Sequence, residues 1–314
     1  MPIPAAVSKT YDAAIVGGGP AGLSAAIWLS RYLHSVVLVD SGDPRNWETR
    51  GVNGFLGLPG VRPSELRAAG REEAWKYGAV LVDDTVESVS PGDDCFDLGL
   101  HSGDRYVARR LLLAIGLKDV WPDIPGLARV YGSTAHICPD CDGYETRGRK
   151  TVVIGSGRRA VGMALNLSTW TREIIIVTNG EAPELNAPEY CEKLDALNVP
   201  VLTDRVEQVC TEDGRLHCLK LANGMDLDVE KIFIATEQYP ADDLGAQLGC
   251  ERDAGGHIVV DRHYHTSVHN VFAAGDILPG SQLAIAAAAD GAVAALSIHK
   301  SLVPAGRKLE PLGS

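Results

Sequence analysis

Apolar runs in this chain alternate with glycine-rich turns and amphipathic segments. The run DAAIV at 12–16 leads into the turn GGGPAG at 17–22, the amphipathic segment LSAAIWLSRYL and a second apolar run, SVVLVD at 35–40. Short unbroken apolar runs bounded by glycine are typical of buried parallel strands, and an apolar stripe is typical of a surface helix. The pattern predicts a strand–helix–strand unit at the start of the chain.

The same pattern returns in the middle of the chain. The run KTVVI at 150–154 precedes the turn GSGRRA, a helical segment and the run EIIIV at 173–177. Residues 201–230 alternate short apolar runs with turns such as TEDGRL and LANGMDL and predict small hairpins, and residues 228–240 predict a strand that leaves this region. The sequence therefore predicts an α/β protein with two strand–helix–strand units.

Composition narrows the class of protein and of partner. The chain has 314 residues, of which 45% are hydrophobic, and this length suits about two domains. The formal net charge of −12 argues against nucleic acid and anionic membranes, because both attract basic surfaces. No apolar run approaches the ~20 residues that span a bilayer, and the N-terminus lacks a signal-peptide pattern. We therefore expect a cytoplasmic protein whose seven cysteines are mostly free thiols.

The turn GGGPAG has the spacing of a dinucleotide-binding site. Gly17 permits a tight turn, Gly19 lets the backbone approach a pyrophosphate, and Gly22 lets the helix pack closely on the strand. The positive N-terminus of that helix would face the phosphates. Asp40 ends the second strand, where a carboxylate accepts hydrogen bonds from an adenosine ribose. A structural glycine turn and a solvated strand end are the alternatives.

A second polar strand end lies near the C-terminus. The run NVFAAGDI at 270–277 closes on Gly275 and Asp276 and precedes a helix of small residues, LAIAAAADGAVAALSIHKSL. A carboxylate between a strand and a helix N-terminus suits the binding of a polyol. A simple β-turn into a helix suits the same residues equally well.

Cys138 and Cys141 form a C-x-x-C within HICPDCDGYE at 136–145. A zinc site would need two more ligands, and the remaining cysteines form no second C-x-x-C, so we expect no metal. Two unreactive thiols are an alternative, whereas a redox dithiol is the interpretation typical of this motif in a cytosolic α/β protein. Asp140 places a carboxylate between the cysteines and should make their disulfide harder to reduce.

The turn GSGRRA repeats the first turn with changes. Three small residues take the glycine positions: Gly155, Gly157 and Ala160. The next strand ends in Thr-Asn-Gly at 178–180, so the acid for an NAD ribose and the arginine for an NADP 2′-phosphate are both missing. Arg158 and Arg159 allow three interpretations: they bind an adenylate phosphate, they fill the phosphate-binding turn with their own side chains, or they are solvated residues at the start of a helix. In the third case each positive charge near the helix N-terminus costs ~0.3–1 kcal/mol.

The four motifs, in this order, resemble those of the low-molecular-weight thioredoxin reductases. That family carries G-x-G-x-x-G for FAD, C-x-x-C-D-G, G-x-G-x-x-A for a pyridine nucleotide and a Gly-Asp motif on the FAD, matched here by GGGPAG, CPDCDG, GSGRRA and AAGDI. The resemblance spans about 11–302. It implies two Rossmann-like, three-layer β/β/α dinucleotide-binding domains: a discontinuous FAD domain at 1–117 and 243–314, and an inserted domain at 118–242 with the C-x-x-C and a second dinucleotide-type site.

The resemblance also implies roles for individual residues. Cys141 would face the flavin, Cys138 would attack the substrate disulfide, and Asp142 would protonate the leaving thiolate. Asp276 would bind the FAD ribitol, and Gln282 would lie near the pyrimidine end of the flavin. The partner would be a thioredoxin-like protein or a low-molecular-weight disulfide, and the chain would form a homodimer.

The departures from the family pattern concentrate at the second nucleotide site. The family's usual His-Arg-Arg is Thr-Asn-Gly here, and Arg158 stands where a small or acidic residue is usual. Some relatives take electrons from ferredoxin or a second bound FAD, and others close disulfides in small metabolites with oxygen. We expect an FAD-dependent disulfide oxidoreductase with an atypical electron donor, namely a second flavin or ferredoxin, and a second site that holds a second FAD, NADPH or nothing. A conventional NADPH-dependent reductase and a dithiol oxidase, with His136 as its candidate base, are the alternatives.

Overall fold

The computed structural model describes residues 9–46, 49–184, 187–212 and 215–308. The N-terminal residues used to exclude a signal peptide and residues 213–214 of the predicted TEDGRL turn lie outside the described ranges. The strands in chain order are β1 (Thr10–Val16), β2 (Val36–Asp40), β3 (Val80–Asp83), β4 (Val86–Gly92), β5 (Cys95–Leu100), β6 (Arg105–Leu113), β7 (Leu117–Asp119), β8 (Ala135–His136), β9 (Thr151–Ile154), β10 (Ile174–Val177), β11 (Val201–Leu202), β12 (Val206–Glu212), β13 (Arg215–Leu221), β14 (Asp226–Asp228), β15 (Lys231–Ile234), β16 (Gln238–Pro240) and β17 (Val271–Ala273). The helices are α1 (Pro20–Arg31), α2 (Pro63–Lys76), α3 (Pro139–Asp142), α4 (Gly157–Leu167), α5 (Pro188–Ala196), α6 (Leu244–Gln247) and α7 (Ala284–Leu302).

The chain divides into two compact units. The first contains the described residues within 1–47, 63–118 and 239–314, and the second contains those within 48–62 and 119–238. The long segment of the second unit therefore lies, in sequence, between two segments of the first. Residues 48–62 belong to the second unit, although the sequence places them in the first domain. Two short strands, β7 and β16, pair with each other.

A mostly parallel sheet forms the centre of the first unit. Strands β3, β2, β1 and β6 are parallel in that order, β17 also pairs with β6, and β5 and β4 continue the sheet antiparallel. Consecutive residues of β2 face opposite sides, because Val37 packs in one apolar cluster and Leu38 in another. The predicted first strand–helix–strand unit is present, and the antiparallel strands β4 and β5 are an addition that the sequence did not predict.

Helix α7 packs closely against α1. A Cβ at Gly291 would overlap the carbonyl oxygen of Ala21, so the small residues of this helix allow the two backbones to approach. The helix has 19 residues. Among the described residues, no helix, α7 included, combines the length and apolarity needed to cross a bilayer.

The second unit contains the predicted second strand–helix–strand unit. Strands β11, β10, β9, β15 and β8 form a parallel sheet, and β12, β13 and β14 form an antiparallel one. Helix α4 covers the parallel sheet, where Val161 and Leu167 pack in one cluster with Val153. The short helix α3 follows β8 directly, which places the two cysteines beside the edge of this sheet.

Candidate functional site

The first glycine turn joins β1 to α1, and backbone contacts shape it. Gly17 has a φ of +104°, and a Cβ at Gly17 or Gly22 would overlap a backbone carbonyl oxygen, so neither position accepts a side chain. Nothing lies within 4 Å of the place that a Cβ would take at Gly19. The turn is thus closed where the helix packs on the strand and open at Gly19, as close approach of a pyrophosphate requires.

Asp40 ends β2 with its carboxylate beside the same turn. A Cβ at Gly18 would overlap this carboxylate, and the carboxylate oxygen Oδ1 accepts a hydrogen bond from the N–H of Gly42 at 3.2 Å. Arg67 of α2 donates to Oδ2 through Nε at 3.1 Å and also through Nη2. Arg71 lies 3.5 Å from the same oxygen. The sequence did not single out these arginines, because no motif marks them.

Arg45 connects the two polar residues near the start of α7. Its Nη1 lies 3.3 Å from Oδ2 of Asp276 and donates to Oε1 of Gln282 at 2.7 Å. Gly275 has a φ of +83°, and a Cβ there would lie 2.8 Å from the Cβ of Ala21 on α1. The predicted C-terminal residues therefore reach the first glycine turn through α1, and Arg45 joins them as a residue that sequence reasoning missed.

Cys138 and Cys141 form a disulfide across the short helix α3. The Sγ of Cys138 accepts a hydrogen bond from the N–H of Cys141 at 3.1 Å, and such a bond favours a thiolate after reduction. Asn53 donates to the carbonyl oxygen of Cys141 at 3.1 Å, so the 48–62 segment is fastened to the disulfide turn. Between the cysteines, the carboxylate of Asp140 accepts a hydrogen bond from Asn166 at 2.9 Å.

Three polar side chains lie in a row that begins at Asp142, the residue after Cys141. The row continues through His136 to Lys231. Oδ2 of Asp142 lies 3.4 Å from Nδ1 of His136, and Nζ of Lys231 lies 3.2 Å from Nε2 of the same ring. His136 is only 5% exposed, and burial lowers the pKa of Lys231. The sequence pointed to Asp142 and to His136 separately. It missed Lys231, which lies 95 residues away and arrives through the pairing of β15 with β8.

The second glycine turn joins β9 to α4 as predicted. The N–H of Gly155 donates to the carbonyl of Val177 at 3.0 Å, and a Cβ at Gly155 would lie 2.7 Å from the carbonyl oxygen of Ala235. Ala160 is buried where the helix packs on the sheet. Gly155 is thus held as Gly17 is, whereas Gly157 has a φ of +61° where the equivalent Gly19 is extended.

The loop after β10 lies across the second turn, and we call residues 178–184 the acidic loop. The N–H of Gly157 donates to the carbonyl of Pro183 at 3.1 Å, and the neighbouring serine hydroxyl donates to Oε2 of Glu181 at 2.8 Å. Oε2 of Glu184 lies 3.1 Å from the place of a Cβ at Gly157. In this arrangement the N–H of Gly157 is occupied by a loop carbonyl, and two carboxylates beside the turn disfavour an anion.

Both arginines of the second turn are exposed. Arg159 donates through Nη1 to the carbonyl of Thr236 at 2.7 Å, outside the cradle. Glu184 of the acidic loop therefore brings a carboxylate to the turn that also carries these two arginines. No motif marks the two glutamates in the sequence, because their nearness to the turn depends on the path of a loop.

Two nucleotide-type turns and a redox C-x-x-C in one chain define a class of flavoprotein. Residues 11–291 match the family described as pyridine nucleotide-disulphide oxidoreductase, and the chain belongs to that family. Membership implies binding of FAD and of NAD(P). Thioredoxin reductase tcpT of Claviceps purpurea is 31% identical over 281 residues, which is 86% of this chain and 87% of that protein.

Solved structures agree with this assignment. The crystal structure of HlmI has a TM-score of 0.88 at 35% identity and covers 93% of this chain and 92% of its own. Putative thioredoxin reductase TrxB from Bacillus anthracis has a TM-score of 0.86 at 29% identity, covering 93% and 98% of the two chains. The predicted fold class, with its Rossmann-like domains, is confirmed. The chain is a homologue of the low-molecular-weight thioredoxin reductases and a flavin-dependent disulfide oxidoreductase.

Proposed function

We propose that this protein is an FAD-dependent thiol–disulfide oxidoreductase that works through Cys138 and Cys141. The observation that carries the proposal is the redox turn: a disulfide across α3, a hydrogen bond to Sγ of Cys138, and Asp142 directly after Cys141. The first unit would be the FAD domain, and the second unit would carry the disulfide. The substrate would be a thioredoxin-like protein or a low-molecular-weight disulfide.

The residues of the first unit fit FAD. The open face at Gly19 would take the pyrophosphate, and Asp40 would accept hydrogen bonds from the adenosine ribose. Asp276 would bind the ribitol, and Gln282 with Arg45 would lie at the ring end. When bound, FAD supplies the electron pair that reduces the disulfide.

The exchange with substrate uses this chain's own groups. The thiolate of Cys138 attacks one sulfur of the substrate disulfide, a mixed disulfide forms, and the other substrate sulfur leaves as a thiolate. Asp142 donates its proton to that leaving thiolate. The thiolate of Cys141 then attacks Cys138, which releases the second substrate thiolate and restores the disulfide. Two electrons have then passed to the substrate, which takes one proton from Asp142 and the other from solvent.

The acidic loop supports an electron donor that does not bind at the second turn. NADPH and a second FAD both contain a pyrophosphate, and the used N–H of Gly157 with Glu181 and Glu184 disfavours both. A donor protein such as ferredoxin needs no such cradle. We therefore favour ferredoxin over a second flavin, and conventional NADPH-driven reduction is the alternative that the experiment below tests.

A dithiol oxidase is a second candidate function, favoured by the position of His136. A substrate dithiol must lose two protons as its disulfide forms, so the site needs a base near the cysteines. His136 lies 3.4 Å from Asp142, and the pair has the composition of such a base. In this direction the Cys138–Cys141 disulfide would accept two electrons from the substrate.

The test combines flavin content with a choice of donors. FAD per chain is measured in the purified protein, and flavin bleaching is then followed anaerobically after adding NADPH, reduced ferredoxin or dithiothreitol as a model dithiol. We expect one FAD per chain, slow bleaching by NADPH and rapid bleaching by ferredoxin. The Cys138→Ser/Cys141→Ser double variant is the control, and it should lose electron transfer to an added disulfide.

Each other outcome points elsewhere. One FAD per chain with rapid bleaching by NADPH would overturn the donor proposal, and two FAD per chain would restore a second flavin. Bleaching by dithiothreitol alone, with oxygen consumption in air, would favour the oxidase. A wild-type protein that retains FAD but exchanges no disulfide would end the proposal as a whole.

A further inference from the structure

Lys231 lies where only one arrangement of protons on His136 is compatible with it. An ammonium group has three hydrogens to donate and no lone pair to accept with. Its hydrogen bond to Nε2, at 3.2 Å, therefore requires a lone pair on Nε2, and a second donation holds it to the carbonyl of Ser133 at 3.2 Å. A ring with a free Nε2 is neutral and carries its hydrogen on Nδ1.

The hydrogen on Nδ1 faces Asp142. Nδ1 of His136 lies 3.4 Å from Oδ2 of that carboxyl group, and the ring is held from its other side by Phe233, with centroids 5.4 Å apart. Oδ2 of Asp142 is thus the carboxylate oxygen that lies within ion-pair distance of the ring. His136 and Lys231 sit on neighbouring parallel strands, so the sheet fixes the distance between them.

We propose that Lys231 is a positioning residue that holds His136 as its neutral Nδ1–H tautomer, so that His136 orients the Asp142 carboxyl for proton transfer with the cysteines. This inference rests on the proposed function, in which Asp142 exchanges a proton with a thiolate. Lys231 acts through His136 and touches no reacting atom.

Both negatively and positively charged side chains lie near Lys231. Burial lowers the pKa of its ammonium group, and nearby carboxylates oppose that effect. The charged side chains that interact with it are Asp142, Glu145, Arg149 and Arg50. As pH rises and Lys231 loses its proton, the ammonium that selects the tautomer disappears. The proton-transfer step should then lose its orientation at a lower pH than an ordinary exposed lysine would give.

The first experiment reads the tautomer directly, without activity. Long-range ¹H–¹⁵N correlation spectra of the full-length, FAD-loaded protein, labelled in its histidine rings, should give His136 a protonated Nδ1 and an unprotonated Nε2. Lys231→Met should change that pattern, and Lys231→Arg should keep it. Lys220→Met, an exposed lysine on β13, should leave it unchanged. An imidazolium or an Nε2–H tautomer in the wild-type protein would overturn the proposal.

The second experiment uses the leaving group to separate positioning from damage. The protein is reduced to its dithiol, and its single-turnover exchange is measured with an aliphatic disulfide and with an aromatic one. An aliphatic thiolate is basic and needs the proton from Asp142, whereas an aromatic thiolate leaves without it. Lys231→Met should slow exchange about 10-fold with the aliphatic disulfide and shift its pH profile, with little change for the aromatic one.

The outcomes of the second experiment separate the two proposals. Equal slowing with both disulfides would mean that Lys231→Met only disturbs the fold, and rescue of the aliphatic rate by Lys231→Arg would support positioning. An unchanged aliphatic pH profile would reject the role of Lys231 while leaving the proposed function standing. Absence of exchange in the wild-type protein with either disulfide would reject the proposed function itself.

Discussion

In the first glycine turn the N–H of Gly17 donates to the carbonyl of Val39 at 2.8 Å, and in the second the N–H of Gly155 donates to Val177 at 3.0 Å. The two turns share this bond between the first strand's end and the second strand. They differ one step further on, where Gly19 faces open space and Gly157 faces Glu184. The two turns therefore share the setting of their first glycine and differ two residues later, both in backbone conformation and in what lies beside it.

The ends of the second strands extend this comparison. Asp40 ends β2 with a carboxylate that accepts a hydrogen bond from Arg67. At the equivalent end of β10, Thr178 donates to the carbonyl of Glu181, and Asn179 accepts from the N–H of Val206. The polar groups of the second strand end are thus used to build the acidic loop. The polar group at the first strand end thus bonds to a side chain of α2, whereas those at the second strand end bond to backbone groups.

The largest expected effect is a loss of FAD binding when a carboxylate, like those beside the second turn, is introduced at the first turn. Gly19 has extended backbone angles, so Gly19→Glu introduces a carboxylate without backbone strain. Charge repulsion of about 1 to 4 kcal/mol should weaken FAD binding about 100-fold. FAD content and equilibrium dialysis measure this change. Gly19→Gln is the uncharged control of the same size, and it should weaken FAD binding less than Gly19→Glu, because it adds the same bulk without the charge. Full FAD retention by Gly19→Glu would mean that the open face does not approach the cofactor's phosphates.

The reverse change should open the second turn. The double variant Glu181→Gln/Glu184→Gln removes the carboxylates beside Gly157, and we expect NADPH or ADP to bind about 10-fold more tightly, because anion repulsion is relieved. Nucleotide fluorescence or calorimetry gives the affinity. Glu189→Gln/Glu192→Gln on α5 changes the net charge equally and serves as the control. If both pairs raise affinity alike, the effect is one of net charge and not of the acidic loop.

The carboxyl group of Asp242, a partly buried residue of the first unit, should make the stability of the protein depend on pH. Burial raises the pKa of Asp242 to about 6 from an ordinary 3.8. The folded state then binds its proton more tightly than the unfolded state, so this contribution to stability is full below about pH 4 and is lost as pH rises through about 6. Asp242→Asn should remove that loss and raise the free energy of unfolding above pH 7 by on the order of 1 to 2 kcal/mol.

Chemical denaturation at pH 4.5 and pH 8 measures the Asp242 effect. Asp242 accepts from the N–H of Leu244 at 2.9 Å, a bond that the asparagine oxygen can also accept, so packing should be preserved. The wild-type and variant proteins should converge in stability at the lower pH. Parallel stability curves across this range would assign the effect to something other than the Asp242 carboxyl.

The smallest expected effect concerns another acidic residue of the second unit. Asp140 is exposed and lies between the cysteines, where its charge disfavours the thiolates of the reduced state. Asp140→Ala should make the disulfide easier to reduce by on the order of 10 mV, which is about 0.5 kcal/mol. Equilibration with a glutathione buffer gives the potential. Asp140→Asn keeps the hydrogen bond to Asn166 and isolates the charge; an unchanged potential in both variants would remove this role.

The strand–helix–strand units and their glycine turns were predictable because periodicity and glycine spacing are local in sequence. The same holds for Cys138, Cys141 and Asp142, which lie within one turn of chain. Arg67 and Lys231 were not predictable, because each reaches its partner only through packing of distant elements. A charged residue in a strand or helix looks the same whether it faces solvent or a buried carboxylate.

The surroundings of the second turn could not be predicted from the residues of its motif. GSGRRA drew attention to Arg158 and Arg159 because they stand inside the motif. The acidic loop, about 26 residues further along, brings Pro183 and Glu184 to the same turn. Loop paths depend on many weak contacts and have no periodic signal. For this reason the absence of His-Arg-Arg could be seen in the sequence, whereas the position of the acidic loop beside the turn could not.

Residues 48–62 have a consequence for anyone who would isolate the redox module. The segment hydrogen-bonds to the second unit through Arg50 with Gly132 and through Asn53 with Cys141, so that unit is encoded in two separate stretches of gene. A fragment cut at 119–238 would lack the piece that fastens its disulfide turn. A faithful minimal module would need 48–62 fused to it by a linker, which makes this protein a poor subject for simple domain excision and a good one for circular permutation.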